Sequence, residues 1–376
     1  MNKYTYLDNA ATTFPKPRYV IKEVVKCLKG YCGNPGRGTH TISLKAAEKV
    51  FDTREKIANY IGLSNPERII FSQNATHALN MAIKGKLNHK CHIITSDFEH
   101  NSVLRPLYKQ MQKNGIEISY YDTDLPIYDA ILPLIRSDTE FLITSIASNV
   151  TGKTIDVNAL SDIATRYNLF TILDVSQYLG HLSLDLRKTP FDIICAPGHK
   201  SLFGIQGSGF MALNTDEDFE TLIEGGSGSE SFNPNMPRNL PERFEAGTVN
   251  TPAIVSLGAG ISYISALGEK YIMEKLDALT HRLYEILSDT NAIIYGCENG
   301  IAAFDIKGKL AREVVEHLDE RNIATRGGLH CAPLIHRKLG TEKYGTVRVS
   351  LSILNSLEDL DRLYIALKGL GNLGAT

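Results

Sequence analysis

Between Arg68 and Phe210 the chain switches repeatedly between short β-branched runs and longer amphipathic runs, and few folds accommodate that alternation. Arg68-Ile69-Ile70-Phe71-Ser72 reads as a buried strand. Ala75 to Lys84 reads as a helix, with Ala78, Leu79, Ala82 and Ile83 spaced for one helical face. Further strands are expected at Cys91 to Thr95, Ile116 to Tyr121, Phe141 to Ile146, Leu169 to Leu173, Ile193 to Ala196 and Gly209 to Leu213. Helices are expected at Ser102 to Lys113, Leu125 to Ile135 and Val157 to Tyr167. This order implies an α/β fold, a mainly parallel sheet with helices on both faces. Ligands of such sheets sit outside the carboxyl ends of the strands, so polar residues directly after strand runs are the first candidates for a site.

The 376 residues suffice for one large domain and a smaller one. Gly30 to Gly38 and Gly225 to Ser229 read as loops. From about Ser256 the pattern turns helical and then mixed. A large domain over 13–255 and a small C-terminal domain over 256–376 are therefore expected, with the N-terminal segment 1–12 packing near the small one. Forty basic against 42 acidic residues give a net charge of −2, which offers no footprint for nucleic acid or an anionic membrane. No apolar run is long enough to span a bilayer. The start, Met1-Asn2-Lys3-Tyr4, lacks the apolar core of a signal peptide, and a cytoplasmic protein is expected. Six cysteines include no CxxC pair, so no metal site is expected and the default for each is an idle reduced thiol.

Three strand ends carry chemistry. Lys200 closes Ala196-Pro197-Gly198-His199-Lys200 after one strand. A lysine there is most often a solvated loop charge; the sharper reading is a Schiff base, since an amine in a partly buried site loses its proton more readily. Asp174 ends another strand, 26 residues earlier. It suits a helix cap or the carboxylate that a pyridinium nitrogen requires. Asn74-Ala75-Thr76-His77 joins a strand to a helix, where free N–H groups either take an ordinary cap or hold a phosphate.

With these segments in view, the chain resembles the class V aminotransferase group of pyridoxal-phosphate (PLP) enzymes, and most of all cysteine desulfurases and selenocysteine lyases. The resemblance runs from Tyr6-Leu7-Asp8-Asn9-Ala10-Ala11-Thr12 and Arg37-Gly38-Thr39-His40 through Glu99-His100-Asn101, Ser148 to Gly152 and Gly198-His199-Lys200. It continues through Arg243 to Thr248 and Arg326-Gly327-Gly328-Leu329-His330-Cys331, and ends at Val347-Arg348-Val349-Ser350. It implies the PLP-dependent transferase fold type I and a homodimer.

The resemblance also implies roles. Lys200 would hold the cofactor and move the Cα proton, Asp174 would pair with the ring nitrogen, Gln177 would bond the ring hydroxyl, and His100 would stack on the ring. Thr76 and His199 would contact the phosphate, with Thr248 doing so from the other subunit. Asn149 and Arg348 would hold the substrate carboxylate, with Arg326 and Arg37 also on the substrate side. Arginine suits that task because its planar fork matches two carboxylate oxygens. Cys331 matches the catalytic cysteine of the motif. The function so implied is conversion of cysteine to alanine with a persulfide left on Cys331 and passed to a sulfur- or selenium-acceptor protein. Selenocysteine lyase, C–S β-lyase or epimerase activity within the group are the alternatives, and a non-catalytic PLP carrier is a rival of another class. Two departures stand out. Pro197 occupies a position often held by a phosphate-binding serine, and Gly225 to Glu242 is shorter than the matching region of the desulfurases.

Overall fold

Isoleucine, phenylalanine and threonine dominate the strand runs because their stiff or bulky side chains pack well on a pleated surface. The computed structural model describes residues 4–36 and 38–371. The chain opens with β1 (Thr5–Tyr6) and two helices, α1 (Arg18–Gly30) and α2 (Thr41–Ile61). Then β2 (Ile69–Ser72), α3 (Ala75–Lys86), β3 (His92–Ser96), α4 (Asn101–Asn114), β4 (Glu117–Tyr121), α5 (Ile127–Ile131), β5 (Thr139–Ser145), α6 (Val157–Arg166) and β6 (Phe170–Asp174) alternate. β7 (Ile193–Pro197), β8 (Gly209–Leu213) and α7 (Thr251–Leu267) follow. The remainder comprises α8 (Glu269–Ser288), β9 (Ala292–Glu298), β10 (Ile301–Ile306), α9 (Ala311–Asp319), β11 (Ile323–Ala324), β12 (Arg326–Gly328), α10 (Pro333–Lys338), β13 (Thr346–Ser350) and α11 (Leu357–Gly371).

Seven strands form one sheet in the order β2-β8-β7-β6-β5-β3-β4. Neighbours are parallel except β8, which runs against both β2 and β7. The carboxyl ends of β2, β3, β5, β6 and β7 therefore share one edge. Successive strand residues point to opposite faces, and the sheet divides its apolar residues accordingly. Phe71, Ile94, Leu142, Leu173 and Ile194 enter one core, while Ile70, Ile93, Ile143, Ile172 and Ile193 enter the other.

One expectation needs correction, and a second is refined by proposal. The helix expected over 125–135 is α-helical only over Ile127–Ile131 and passes into a short 3-10 turn at Leu132–Leu134. Pro133 has no N–H to continue the ladder and its ring clashes with the preceding turn. The division expected at 255/256 runs through α7, whose Ile254, Leu257, Ile261 and Ile264 belong to the core of the large sheet. We propose that the division falls at Gly268, between α7 and α8.

The second unit has its own antiparallel sheet, β12-β13-β10-β9, and its own core around Leu283, Phe304, Val347 and Leu363. The chain start is stitched to it. β1 pairs in parallel with β11, Leu7 is buried in that core, and Asp8 bridges to Ser350. Among the described residues no single helix is long and apolar enough to cross a membrane.

Candidate active site

A cavity of about 250 Å³ opens at the shared carboxyl edge of the sheet. Of the residues singled out above, all but Thr248 and Arg37 line it. Arg37 lies outside the described residues. Thr248 sits in neighbouring cavities on its own chain, one of them shared with Asn74 and His77.

Lys200 lies three residues beyond β7, half-buried, on a tight loop. Gly198 makes that loop possible, because a Cβ there would lie 2.2 Å from Ser208 Oγ. The N-terminal segment clamps the loop from above. Thr13 N–H and Lys16 Nζ donate to the His199 carbonyl at 3.2 and 2.7 Å, and Thr13 Oγ1 donates to the Lys200 carbonyl at 3.0 Å. Removal from water pushes the Lys200 ammonium down to about 8; the Asp174 charge opposes this and the Arg348 charge adds to it. Asp174, buried at the end of β6, accepts from Ser176 N–H at 2.9 Å. Gln177 donates to the Ala10 carbonyl at 2.9 Å, which leaves its amide oxygen and one N–H hydrogen for a ligand.

His100 caps α4 and accepts from Ser102 N–H through Nδ1 at 3.0 Å, so the neutral ring carries its hydrogen on Nε2. Burial pushes its pKa down to about 4. Ser102 Oγ lies 2.9 Å from His100 Nδ1 and 2.6 Å from Thr76 Oγ1. His199 is likewise pushed to about 4 by burial, and its Nδ1 has no hydrogen-bond partner. Beneath the pocket Glu99 is fully buried, and its carboxyl is pushed up by burial. It accepts from Ser96 Oγ at 2.5 Å, Thr144 Oγ1 at 2.8 Å, and Ser145 N–H and Oγ at 2.8 and 2.7 Å. These bonds lock the ends of β3 and β5 together.

The second unit supplies the opposite wall. Arg326 and Arg348 face each other across β12 and β13, a like-charge pairing that destabilises a sheet when unrelieved. Asp8 relieves it. Arg348 Nη2 donates to Asp8 at 3.0 Å and Arg326 Nη2 at 2.8 Å. Arg348 Nη1 donates to the Asn149 carbonyl at 2.9 Å, while Arg348 Nε is buried without a partner. Asn149 Nδ2 donates to the His330 carbonyl at 2.7 Å, and Asn101 N–H to the Cys331 carbonyl at 2.7 Å. Those two bonds hold an unusual turn in which His330 and Cys331 both have positive φ, 47° and 57°. Non-glycine residues adopt that region at a cost, and such strain concentrates at functional sites. The turn leaves Cys331 exposed at the mouth of the pocket.

The sequence reading passed over Asp8, Ser102 and Ser176 as site residues, although all three hold or line the pocket. Asp8 lay inside a quoted motif, and its pairing with two arginines is the signal that was missed. For Ser102 the only signal was its place at a helix start.

The family model for class V aminotransferases matches residues 5–363, and the chain belongs to that family. It is 30% identical to a probable cysteine desulfurase of Methanothermobacter thermautotrophicus over 100% of this chain and 96% of the relative. Among solved structures it is similar to the cysteine desulfurase of Thermococcus onnurineus, with a TM-score of 0.89 and 27% identity over 98% of this chain and 95% of that one. It is also similar to the Escherichia coli cysteine desulfurase CsdA, with a TM-score of 0.88 and 25% identity over the same shares. The α/β architecture expected from the sequence is the fold of these enzymes.

Proposed function

We propose that the protein is a pyridoxal-phosphate-dependent cysteine desulfurase that converts L-cysteine to L-alanine and retains the sulfur as a persulfide on Cys331. The observation that carries this reading is one pocket lined by a desolvated lysine, a buried strand-end aspartate and an exposed cysteine.

The residues present fit the cofactor. Lys200 would hold its aldehyde carbon, and Asp174 would face its ring nitrogen. The free amides at the start of α3, the hydroxyls of Thr76, Ser102 and Ser176, and the unpartnered His199 Nδ1 would receive its phosphate. These hydroxyls take over from the donor that Pro197 lacks. Pyridoxal phosphate, when bound, supplies an electron sink for the charge that develops at the substrate Cα.

The chain's own groups do the rest. Arg348 Nε is buried without a partner, and Nη1 and Nη2 each donate one hydrogen bond, to the Asn149 carbonyl and to Asp8; Arg348 binds the substrate carboxylate through the hydrogens left over. The Lys200 amine, unprotonated in part at neutral pH, accepts the Cα proton and later returns a proton to the product. The Cys331 thiolate attacks the substrate sulfur; the carbon–sulfur bond breaks, a sulfur–sulfur bond forms, and the sulfur stays on the enzyme.

We further infer a homodimer. Thr248 lies outside its own chain's pocket, which suits a contribution to the partner's phosphate site. Ile21, Leu28, Leu44 and Phe51 on α1 and α2 leave apolar surface exposed for an interface. Product analysis with cysteine and selenocysteine side by side tests the whole reading. Alanine in step with enzyme persulfide supports it, pyruvate with free sulfide identifies a β-lyase instead, and alanine from selenocysteine alone identifies a selenocysteine lyase.

A further inference from the structure

A second cavity, about 400 Å³ in volume, opens beside the active pocket along the groove between α3 and α4. Cys331, Thr76, His100 and Ser102 line both cavities, so the two meet at the Cys331 thiol. The walls of the second cavity carry Lys84 from α3 and Arg105 and Lys109 from α4, and no carboxylate lines it. None of these three cations forms an ion pair with a described residue. Arg105 and Lys109 are four residues apart on one helix, so they share a face, and like charges at that spacing cost stability. An unrelieved cationic row beside a reactive thiol is not explained by folding.

We propose that this groove is the docking site of the sulfur acceptor, and that the acceptor is a small anionic thiol whose carboxylates sit among Lys84, Arg105 and Lys109. The volume lies within the range of small-molecule sites, and clefts lined by one sign of charge concentrate ligands of the other. The acceptor thiolate attacks the outer sulfur of the Cys331 persulfide. The sulfur–sulfur bond to Cys331 breaks, Cys331 departs as thiolate, and the acceptor leaves as a persulfide, with no external oxidant or reductant. The proposal rests on the desulfurase reading, which uses Cys331 as the sulfur carrier.

Two measurements on the holoenzyme separate the two ideas. The first uses a Cys32→Ser background, since Cys32 is the other exposed cysteine. It compares the rates at which Cys331 reacts with anionic dithiobis(nitrobenzoate) and with neutral dithiodipyridine. The Lys84→Glu/Lys109→Glu double variant should lower the anionic-to-neutral rate ratio by about tenfold, and added salt should lower it in wild type. The second measures discharge of the persulfide to mercaptosuccinate and to 2-mercaptoethanol. The double variant should lose the preference for mercaptosuccinate while forming alanine at the wild-type rate with saturating dithiothreitol. An unchanged ratio in either measurement overturns the proposal. If the labelling ratio responds but wild type forms no alanine from cysteine, the desulfurase reading fails and the acceptor role fails with it.

Discussion

Asp8 accepts a hydrogen bond from Arg348 Nη2 at 3.0 Å, joining residues 340 positions apart. The same carboxylate accepts from Arg326 Nε and Nη2. Two cross-strand cations thus depend on one anion supplied by the chain start. Asp8→Ala should cost about 3–5 kcal/mol, because a buried guanidinium would lose its partner. Urea unfolding reads this as a lower midpoint, and an unmoved midpoint would show that the bridge contributes no net stability. Arg348→Ala should keep the cofactor's visible absorption but raise KM for the amino acid by about tenfold or more, for loss of a charged hydrogen-bonding partner.

Burial pushes the Lys200 ammonium down from the ordinary lysine range to about 8. The unprotonated fraction that attacks an aldehyde therefore grows as pH rises through about 8 and saturates above it. In protein stripped of cofactor, the rate of pyridoxal-phosphate uptake should follow that curve. Borohydride treatment of the reconstituted protein should label the peptide containing Lys200. A rate still climbing at pH 10, or label on another lysine, would remove Lys200 from its assigned role. Lys200→Ala should lose about a thousandfold in turnover.

Cys331 sits exposed where the two cavities meet. Sulfur leaves carbon reluctantly, so a thiolate that accepts it directly contributes more than it would for selenium. Cys331→Ala should lower alanine formation from cysteine by about a hundredfold or more and largely spare it from selenocysteine. Mass spectrometry after a cysteine pulse should find one added sulfur on the wild-type Cys331 peptide. Cysteine turnover in the variant at the wild-type rate would make Cys331 a bystander.

Burial favours the neutral ring at seven of the described histidines, and most strongly at His100, His181, His199 and His330. Removal from water pushes His100, His181 and His199 down to about 4, and His330 down to about 2. An unfolded histidine titrates near ~6.5, so the unfolded chain takes up protons first. Their contribution to stability is complete above ~6.5 and is lost as pH falls toward 4, with His330 extending the loss toward 2. Each contributes up to about 1.4 kcal/mol per pH unit across its window. Urea midpoints of cofactor-free protein measured from pH 7.5 to 4.5 should fall steadily below about 6.5; a flat profile would mean that these rings are hydrated.

Strand and helix periodicity is local, and so the large sheet was legible in the chain. Gly209 to Leu213 matches β8 at both ends, and the other strand runs are displaced by one or two residues at most. Proline chemistry was equally local, yet Pro133 was read through, and the helix it interrupts was overextended. The 255/256 position falls within α7, which is apolar on nearly every side; such a helix announces burial without saying in which core. Lys200, Asp174 and Cys331 stood out only through the resemblance, since taken alone they fit a loop charge, a helix cap and an idle thiol at least as well. What the sequence by itself determined was therefore the set of elements and the residues at their ends, since both are encoded over a few positions. Only the tertiary structure decided that Asp8 holds Arg348 and Arg326, and that Lys84, Arg105 and Lys109 line one groove at Cys331. On separate helices those three charges read as solvated faces, because a helix pattern specifies which side is polar but not what another element brings against it.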